Sequence, residues 1–148
     1  MLKEELGKYN LSELLLDKGY NDRNEVLNMQ QKSHVLLLST WNYESYEGVI
    51  PGKFYEYLSS GTHIFAIVTG NKGNSEIREY IQKTNSGICY EFANKEHDYE
   101  VLKNNIIELY IRYIDGNFSA PELNEKELEK FNYANISGQL YRLIKSEN

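Results

Sequence analysis

Cysteine, positive charge and long apolar runs are all scarce in this sequence. The single cysteine, Cys89, excludes an internal disulfide and is typical of a reducing compartment. Asp and Glu number 22 against 16 Lys and Arg, which argues against a nucleic-acid binder, since such proteins usually carry a basic surface. No apolar run approaches the roughly 18 residues of a membrane span, and residues 1–10 lack the apolar region of a signal peptide. We therefore predict a cytoplasmic protein with no membrane span in this chain.

Apolar runs alternate along the chain with segments of helical character. This order is typical of an α/β fold with a mainly parallel sheet and flanking helices. We expect a Rossmann-like domain of about four strands over residues 1–120, with carboxyl-terminal helices of the same domain over 121–148. The predicted strands are 12–17, 34–39, 63–68 and 87–92, and the predicted helices are 2–10, 22–32, 53–60, one from 74 or 75, 98–113 and two after Pro121.

The most informative stretch is Glu47–Gly61, which reads EGVIPGKFYEYLSSG. A glycine- and proline-bearing loop joins the apolar run 34–39 to the predicted helix 53–60, and the apolar run 63–68 follows. This order predicts a βαβ unit. Its loop would lie at the carboxyl end of the first strand, where open α/β sheets bind their ligands.

The start of the predicted helix indicates an anion site. Pro51 suits the first helical position, because its missing N–H would be unpaired there anyway. The amides of Gly52, Lys53 and Phe54 would then face the crevice together with the positive end of the helix dipole. Phosphate is the anion that this arrangement favours.

The residues GVIPGKFYEYLSSGTHIFAI resemble the nucleotide-sugar signature in the carboxyl-terminal domain of GT-B glycosyltransferases of the family-4 type. In that family the loop has the form Glu-Gly…Pro-x-Lys-x-x-Glu-Tyr-Leu-x-x-Gly-x-Pro-hydrophobic. The similarity extends upstream through HVLLLS, and downstream through the helix from Asn74, the segment SGICYEF and the tail FNYANISGQLYRLI. The resemblance implies the donor-binding part of an enzyme that transfers a sugar from a nucleoside-diphosphate sugar to an acceptor, in cell-surface polysaccharide assembly.

Two glutamates carry the implied donor contacts. The resemblance implies that the Glu56 carboxylate accepts hydrogen bonds from both ribose hydroxyls of the donor, and a solvated helix glutamate is the alternative. Glu47 would be the first glutamate of the family's pair, near the donor sugar. It precedes Glu56 by one residue more than the usual family spacing, so Glu44 is a substitute and an ordinary loop charge is a further alternative.

Backbone and apolar groups complete the implied site. Gly48, Val49 and Ile50 would present backbone to the sugar and phosphates, although simple turn chemistry also explains the glycine. Lys53 would approach the phosphates or be a solvated lysine, and Leu58 would pack near the ribose or base or be a core leucine. The residues predicted to bind the nucleotide sugar are thus Gly19, Tyr20, Glu47, Gly48, Val49, Ile50, Pro51, Gly52, Lys53, Glu56 and Leu58; of these, Gly19 and Tyr20 follow the predicted strand 12–17, where the family's backbone reads the base.

The sequence predicts no metal or other cofactor and leaves the catalytic residue unknown. His34, His63 and His97 show no spacing typical of metal ligands. No Asp-x-Asp motif occurs, in agreement with the metal-free mechanism that the resemblance implies. The charge that develops on the leaving diphosphate would be stabilised by fixed N–H groups of the loop.

Two features of the resembled domain have no counterpart here: its first strands and the basic residues that clamp the diphosphate. We expect a fragment without the amino-terminal acceptor-binding domain, which alone transfers no sugar and binds nucleoside diphosphates weakly or undetectably. Peripheral contact of a full-length enzyme with the inner membrane is left open. A non-catalytic nucleotide- or phosphate-binding module and an interaction domain are the alternative functions.

The apolar strand 34–39 would lack a neighbour in such a fragment. A free apolar edge is a template for pairing. We expect either that the predicted strand 12–17 pairs with it or that a second copy covers it in a homodimer.

Overall fold

The computed structural model describes residues 2–46 and 48–146, which form a three-stranded parallel sheet flanked by helices. Glu47, a predicted site residue, lies outside the described residues. The elements in chain order are α1 (Leu2–Gly7), α2 (Arg23–Lys32), β1 (Val35–Trp41), α3 (Gly52–Ser60), β2 (His63–Thr69), α4 (Glu76–Thr84), β3 (Gly87–Glu91), α5 (Lys95–Ile114), α6 (Glu125–Leu128) and α7 (Tyr133–Ser146).

The sheet has the order β1-β2-β3, and both pairings are parallel. Residue 35 of β1 lies opposite residue 63 of β2, and residue 64 of β2 lies opposite residue 87 of β3. The crossover helices α3 and α4 connect successive strands, as a parallel sheet requires. The predicted α/β class with a parallel sheet and flanking helices is confirmed, and so is the predicted βαβ unit from β1 through α3 to β2.

The hydrophobic core lies between one face of the sheet and the crossover helices. Alternate residues of each strand point to this face, because side chains in a strand alternate with a period of two. Phe54 of α3 and Ile77 and Ile81 of α4 are buried against it. The strand residues of this core are Leu38, Ile64, Ala66, Val68 and Cys89.

The opposite face of the sheet is covered unevenly. Helix α5 packs on β3, and its apolar residues share a cavity with Val35 and Phe65. Leu37 projects from the same face of β1 and is 64% exposed. Next to β1, this face therefore presents apolar surface to solvent.

The predicted strand 12–17 is wrong. Residues Ser12–Leu14 form a single turn of 3₁₀ helix, in which Leu14 N donates to Leu11 O (3.0 Å) and Leu15 N donates to Ser12 O (3.3 Å). These local bonds satisfy backbone groups that a strand would offer to a neighbour. Leu14 and Leu16 are exposed, and the sheet among the described residues has three strands instead of four.

The first strand is consequently an edge. Strand β1 pairs with β2 alone within the described part of the chain, so pairing of 12–17 with 34–39 is wrong as well. The phenol of Tyr57 donates to the Leu37 carbonyl at 3.5 Å, which is the limit of a hydrogen bond. Cover by a second copy stays a prediction.

Side-chain caps mark the starts of two of the helices predicted from the sequence, the one near residue 22 and the first after Pro121. The Asp22 carboxylate accepts from the amides of Asn24 (2.9 Å) and Glu25 (3.1 Å) at the start of α2. Asn124 caps α6, and its amide nitrogen donates to the Lys83 carbonyl (3.1 Å). This contact fixes the segment after residue 121 to the end of α4.

No helix within the described ranges is long and apolar enough to cross a membrane.

Candidate nucleotide-binding cleft

A cleft of about 390 Å³ opens at the carboxyl end of β1. One wall is the loop before α3, the other is the start of α4, and the floor is the end of β1. The lining residues are Thr40, Trp41, Asn42, Gly48, Val49, Ile50, Lys72, Asn74, Ser75, Glu76, Ile77 and Glu79. Three predicted site residues, Gly48, Val49 and Ile50, therefore lie together in this cleft.

Close backbone contacts hold the loop against the end of β1. The Thr40 hydroxyl donates to the Val49 carbonyl at 3.0 Å, and the Gly48 amide donates to Asn42 Oδ1 at 3.4 Å. A Cβ atom added to Gly48 would lie 1.8 Å from the Trp41 carbonyl oxygen. Only glycine lets the loop approach the strand this closely, so packing is a sufficient reason for Gly48.

The start of α3 follows directly after the cleft wall. Pro51 is the N-cap residue with extended backbone (φ −65°, ψ 142°), and the helix begins at Gly52, so the predicted place of Pro51 at the first helical position is wrong by one residue. The Phe54 amide donates to the Pro51 carbonyl at 2.9 Å and does not face the crevice as predicted. Among the described residues no side chain caps this helix start, so the amides of Gly52 and Lys53 have no capping side chain as their acceptor.

The start of α4 differs, because a buried carboxylate occupies it. The amides of Asn74 and Ser75 donate to Glu91 Oε2 (2.9 Å) and Oε1 (2.7 Å), and the Ser75 hydroxyl donates to Oε1 at 2.6 Å. Glu91 is fully buried at the end of β3. Ser75 in turn caps α4 by accepting from the Arg78 amide. This helix start already holds its anion.

Arg78 supplies the counter-charge to this carboxylate. Its Nε lies 3.0 Å from Glu91 Oε2, and its Nη2 donates to Asp98 Oδ2. Asp98 Oδ2 also accepts from the Glu91 amide at 2.8 Å. Burial opposes ionisation, but hydrogen bonds, including those from Ser75 and Asn74, and the Arg78 charge hold the pKa of Glu91 below its ordinary value. Burial likewise opposes ionisation of Asp98, and the Glu91 amide and Arg78 lower its pKa.

Glu56 lies outside the cleft lining. It projects from α3 with 31% of its side chain exposed, and its Oε1 is 3.4 Å from Nη2 of Arg23 at the start of α2. Helix α2 packs beside α3. Glu56, which is predicted to bind the donor ribose, therefore faces the segment that follows Gly19 and Tyr20. These two residues lie four and three positions before Arg23 in the chain.

The other predicted site residues are distributed as follows. Gly19 has a left-handed backbone (φ 61°) and Tyr20 is fully exposed. Both were predicted as site residues because they follow the predicted strand 12–17, but no strand precedes them among residues 2–18. Leu58 is 6% exposed and belongs to the hydrophobic core, which was the alternative predicted for this residue. Lys53 is exposed. The Glu44 amide donates to Asn71 Oδ1 (3.2 Å), away from the cleft lining.

Sequence reasoning missed two residues that organise the site, Asn42 and Glu91. Asn42 is the first residue after β1 and Glu91 is the last residue of β3. Both are polar residues at the carboxyl end of a buried strand, the edge at which parallel sheets place functional groups. That position was the signal that could have indicated them. Cys89 is a buried core thiol, and burial raises its pKa to about 12.

Within residues 2–46 and 48–146, no group of three or more His, Cys, Asp and Glu side chains could hold a metal ion. Comparison of the chain with protein-family models, with curated proteins and with solved structures gives no match.

Proposed function

We propose that this chain is the donor-binding part of a glycosyltransferase and that its cleft takes a nucleoside-diphosphate sugar. One observation carries the proposal: the signature loop forms a wall of a cleft at the carboxyl end of β1 and leads directly into a helix start that no described side chain caps. Parallel α/β sheets bind phosphorylated ligands at this place. Action on cell-surface polysaccharide is part of the same proposal and rests on the signature resemblance alone, whereas action in the cytoplasm rests on the composition.

The two helix starts near the cleft differ in what they can bind. Glu91 occupies the amides before α4, and Glu76 and Glu79 add negative charge to that wall. A diphosphate is repelled there. The start of α3 offers the Gly52 and Lys53 amides, the dipole of a nine-residue helix and the Lys53 ammonium group. We place the diphosphate at α3, where these groups would stabilise the charge on the leaving phosphate during transfer.

Transfer itself requires an acceptor site, which we assign to a separate acceptor-binding domain. One wall of the cleft is acidic, and among the described lining residues Lys72 is the single lysine, so we expect weak binding of a diphosphate by this chain alone. Of the two outcomes expected from the sequence, the amides at the start of α3 favour weak, measurable binding over undetectable binding. We assign no catalytic acid or base within this chain.

Replacing Glu56 with Ala is expected to weaken binding of a nucleoside diphosphate by about 5- to 150-fold. A hydrogen bond to a charged acceptor contributes roughly 1–3 kcal/mol, and the carboxylate is proposed to hold both ribose hydroxyls. The dissociation constant is measured by NMR titration, which follows weak binding. The ribose-free ligand pyrophosphate is expected to bind both proteins equally.

Arg23→Met is the matched control for Glu56→Ala. It removes the other member of the 3.4 Å ion pair, in which Arg23 is 76% exposed, and exposed pairs contribute little. We expect it to leave nucleotide affinity within about twofold of the wild type. Equal affinities of the wild type and Glu56→Ala for the nucleotide would show that Glu56 is a surface glutamate.

The exposed edge of β1 favours a second candidate function, that of an interaction module. An unpaired apolar edge strand is a template for pairing with another chain, and Leu37 adds exposed apolar surface beside it. We propose a homodimer through this edge. The other alternative, a non-catalytic module that binds a nucleotide or phosphate in the same cleft, would form the same homodimer through β1.

Leu37→Lys is expected to convert such a dimer to a monomer, because lysine on an edge strand opposes strand pairing. Sedimentation velocity at micromolar concentrations measures the change. Leu14→Lys is the control, since Leu14 is also exposed (77%) but lies in the 3₁₀ turn outside the sheet. A wild-type protein that sediments as a monomer would contradict the dimer.

A further inference from the structure

Asn42 connects the loop before α3, which forms one wall of the cleft, with the loop after β2, which leads into the other wall at the start of α4. Its side chain is 4% exposed, and its Nδ2 donates to the carbonyls of Lys72 (3.0 Å) and Gly73 (3.4 Å). Its Oδ1 accepts from the Gly48 amide (3.4 Å). One buried amide group thus bonds the loop after β1 and the loop after β2.

The backbone of Asn42 adds two further bonds to the second loop. Its amide donates to the Thr69 carbonyl at 2.8 Å, and its carbonyl accepts from the Lys72 amide at 3.2 Å. At Gly70 a Cβ would lie 2.0 Å from the Asn42 carbonyl oxygen, and the φ of +114° at this glycine is one that other residues rarely adopt. The second loop therefore passes over Asn42 at a distance that only glycine permits.

We propose that Asn42 is a positioning residue that sets the separation of the two cleft walls and so presents the signature loop to the ligand. A buried amide with both its donor and its acceptor engaged fixes loop geometry, since any displacement of either loop leaves a buried polar group unpaired. This inference rests on the proposed function only where nucleotide binding is measured. The hydrogen bonds between the loops are present in the protein without a ligand.

Two variants separate the hydrogen bonds that the Asn42 side chain donates from the one that it accepts. Asn42→Ala removes both the donated and the accepted bonds. Asn42→Asp keeps an acceptor for the Gly48 amide but removes the donor to the Lys72 and Gly73 carbonyls. Gln30→Ala is the matched control, because Gln30 carries an equally buried side-chain amide (6% exposed) at the end of α2 and outside the cleft lining.

Amide hydrogen exchange and nucleotide titration followed by NMR are the measurements. We expect Asn42→Ala to speed exchange about tenfold in both residues 48–50 and residues 70–73, and to weaken nucleoside diphosphate binding about tenfold. Asn42→Asp should speed exchange in 70–73 and leave Gly48 protected. Gln30→Ala should produce neither local effect.

Each outcome decides the inference. Exchange that rises equally throughout the protein in Asn42→Ala and Gln30→Ala would overturn it, because Asn42 would then contribute only to global stability. If Asn42→Ala does not fold, the exchange pattern of Asn42→Asp decides alone. The expected exchange pattern in a protein that binds no nucleoside diphosphate would uphold the positioning role and contradict the proposed function.

Discussion

Arg78→Met is expected to destabilise the protein by about 3–5 kcal/mol, because it leaves the carboxylates of Glu91 and Asp98 buried without their counter-charge. The free energy of unfolding is measured by urea denaturation at neutral pH. Arg112→Met is the control, since it breaks an exposed pair with Glu108 that contributes roughly 0.5 kcal/mol or less. Similar losses in the two variants would contradict the assignment of a buried ion network to the start of α4.

The same network makes the wild-type protein sensitive to acid. The pKa values of Glu91 and Asp98 are lowered in the folded protein, so the unfolded chain binds protons more readily. Their contribution to stability is therefore present above the unfolded pKa values of roughly 4 and is lost as the pH falls through the lower folded values. The stability difference between the wild type and Arg78→Met is expected to narrow in this acid range.

Gly48→Ala is expected to weaken nucleoside diphosphate binding more than tenfold and to destabilise the protein by roughly 1–3 kcal/mol. The added methyl group would lie 1.8 Å from the Trp41 carbonyl oxygen, so the signature loop must move away from β1. That movement also breaks the bond of the Gly48 amide to Asn42. Affinity is measured by NMR titration and stability by urea denaturation.

Gly138→Ala serves as the control for this substitution. Gly138 lies within α7, and no neighbouring atom of the described residues lies within 4 Å of an added Cβ. Alanine there is expected to stabilise the helix by about 0.5–1 kcal/mol. Nucleotide affinity should not change. An unchanged affinity in Gly48→Ala as well would show that the loop geometry does not matter to the ligand.

The elements around the site could be predicted because their signals are local. Strands β1 and β2 each contain a continuous apolar run. Asp22 and Asn124 each precede a glutamate by three residues, which is a spacing typical of a helix start, and both cap helices. The leucines of residues 11–16 gave the same apolar signal without forming a strand. Whether an apolar run becomes a strand depends on a pairing partner, and that partner is not a property of the run itself.

The polar organisation of the cleft could not be predicted, because it depends on contacts between distant residues. Glu91 binds amides 16 and 17 residues earlier in the chain, and Asn42 binds a carbonyl 30 residues later. Nothing in the local sequence shows which helix start receives a buried carboxylate. The spacing of the signature predicts Glu56 as a site residue, whereas its neighbour Arg23 follows only from the packing of α2 beside α3.

Titration of the ¹⁵N-labelled chain with a nucleoside diphosphate, followed residue by residue by NMR, tests the central claim most directly. We predict weak, saturable shifts that are largest at Gly48–Lys53 and at Glu56, with shifts at Glu56 that pyrophosphate does not reproduce. Largest shifts at Asn74 and Ser75, or no saturable shift at millimolar ligand, would contradict it.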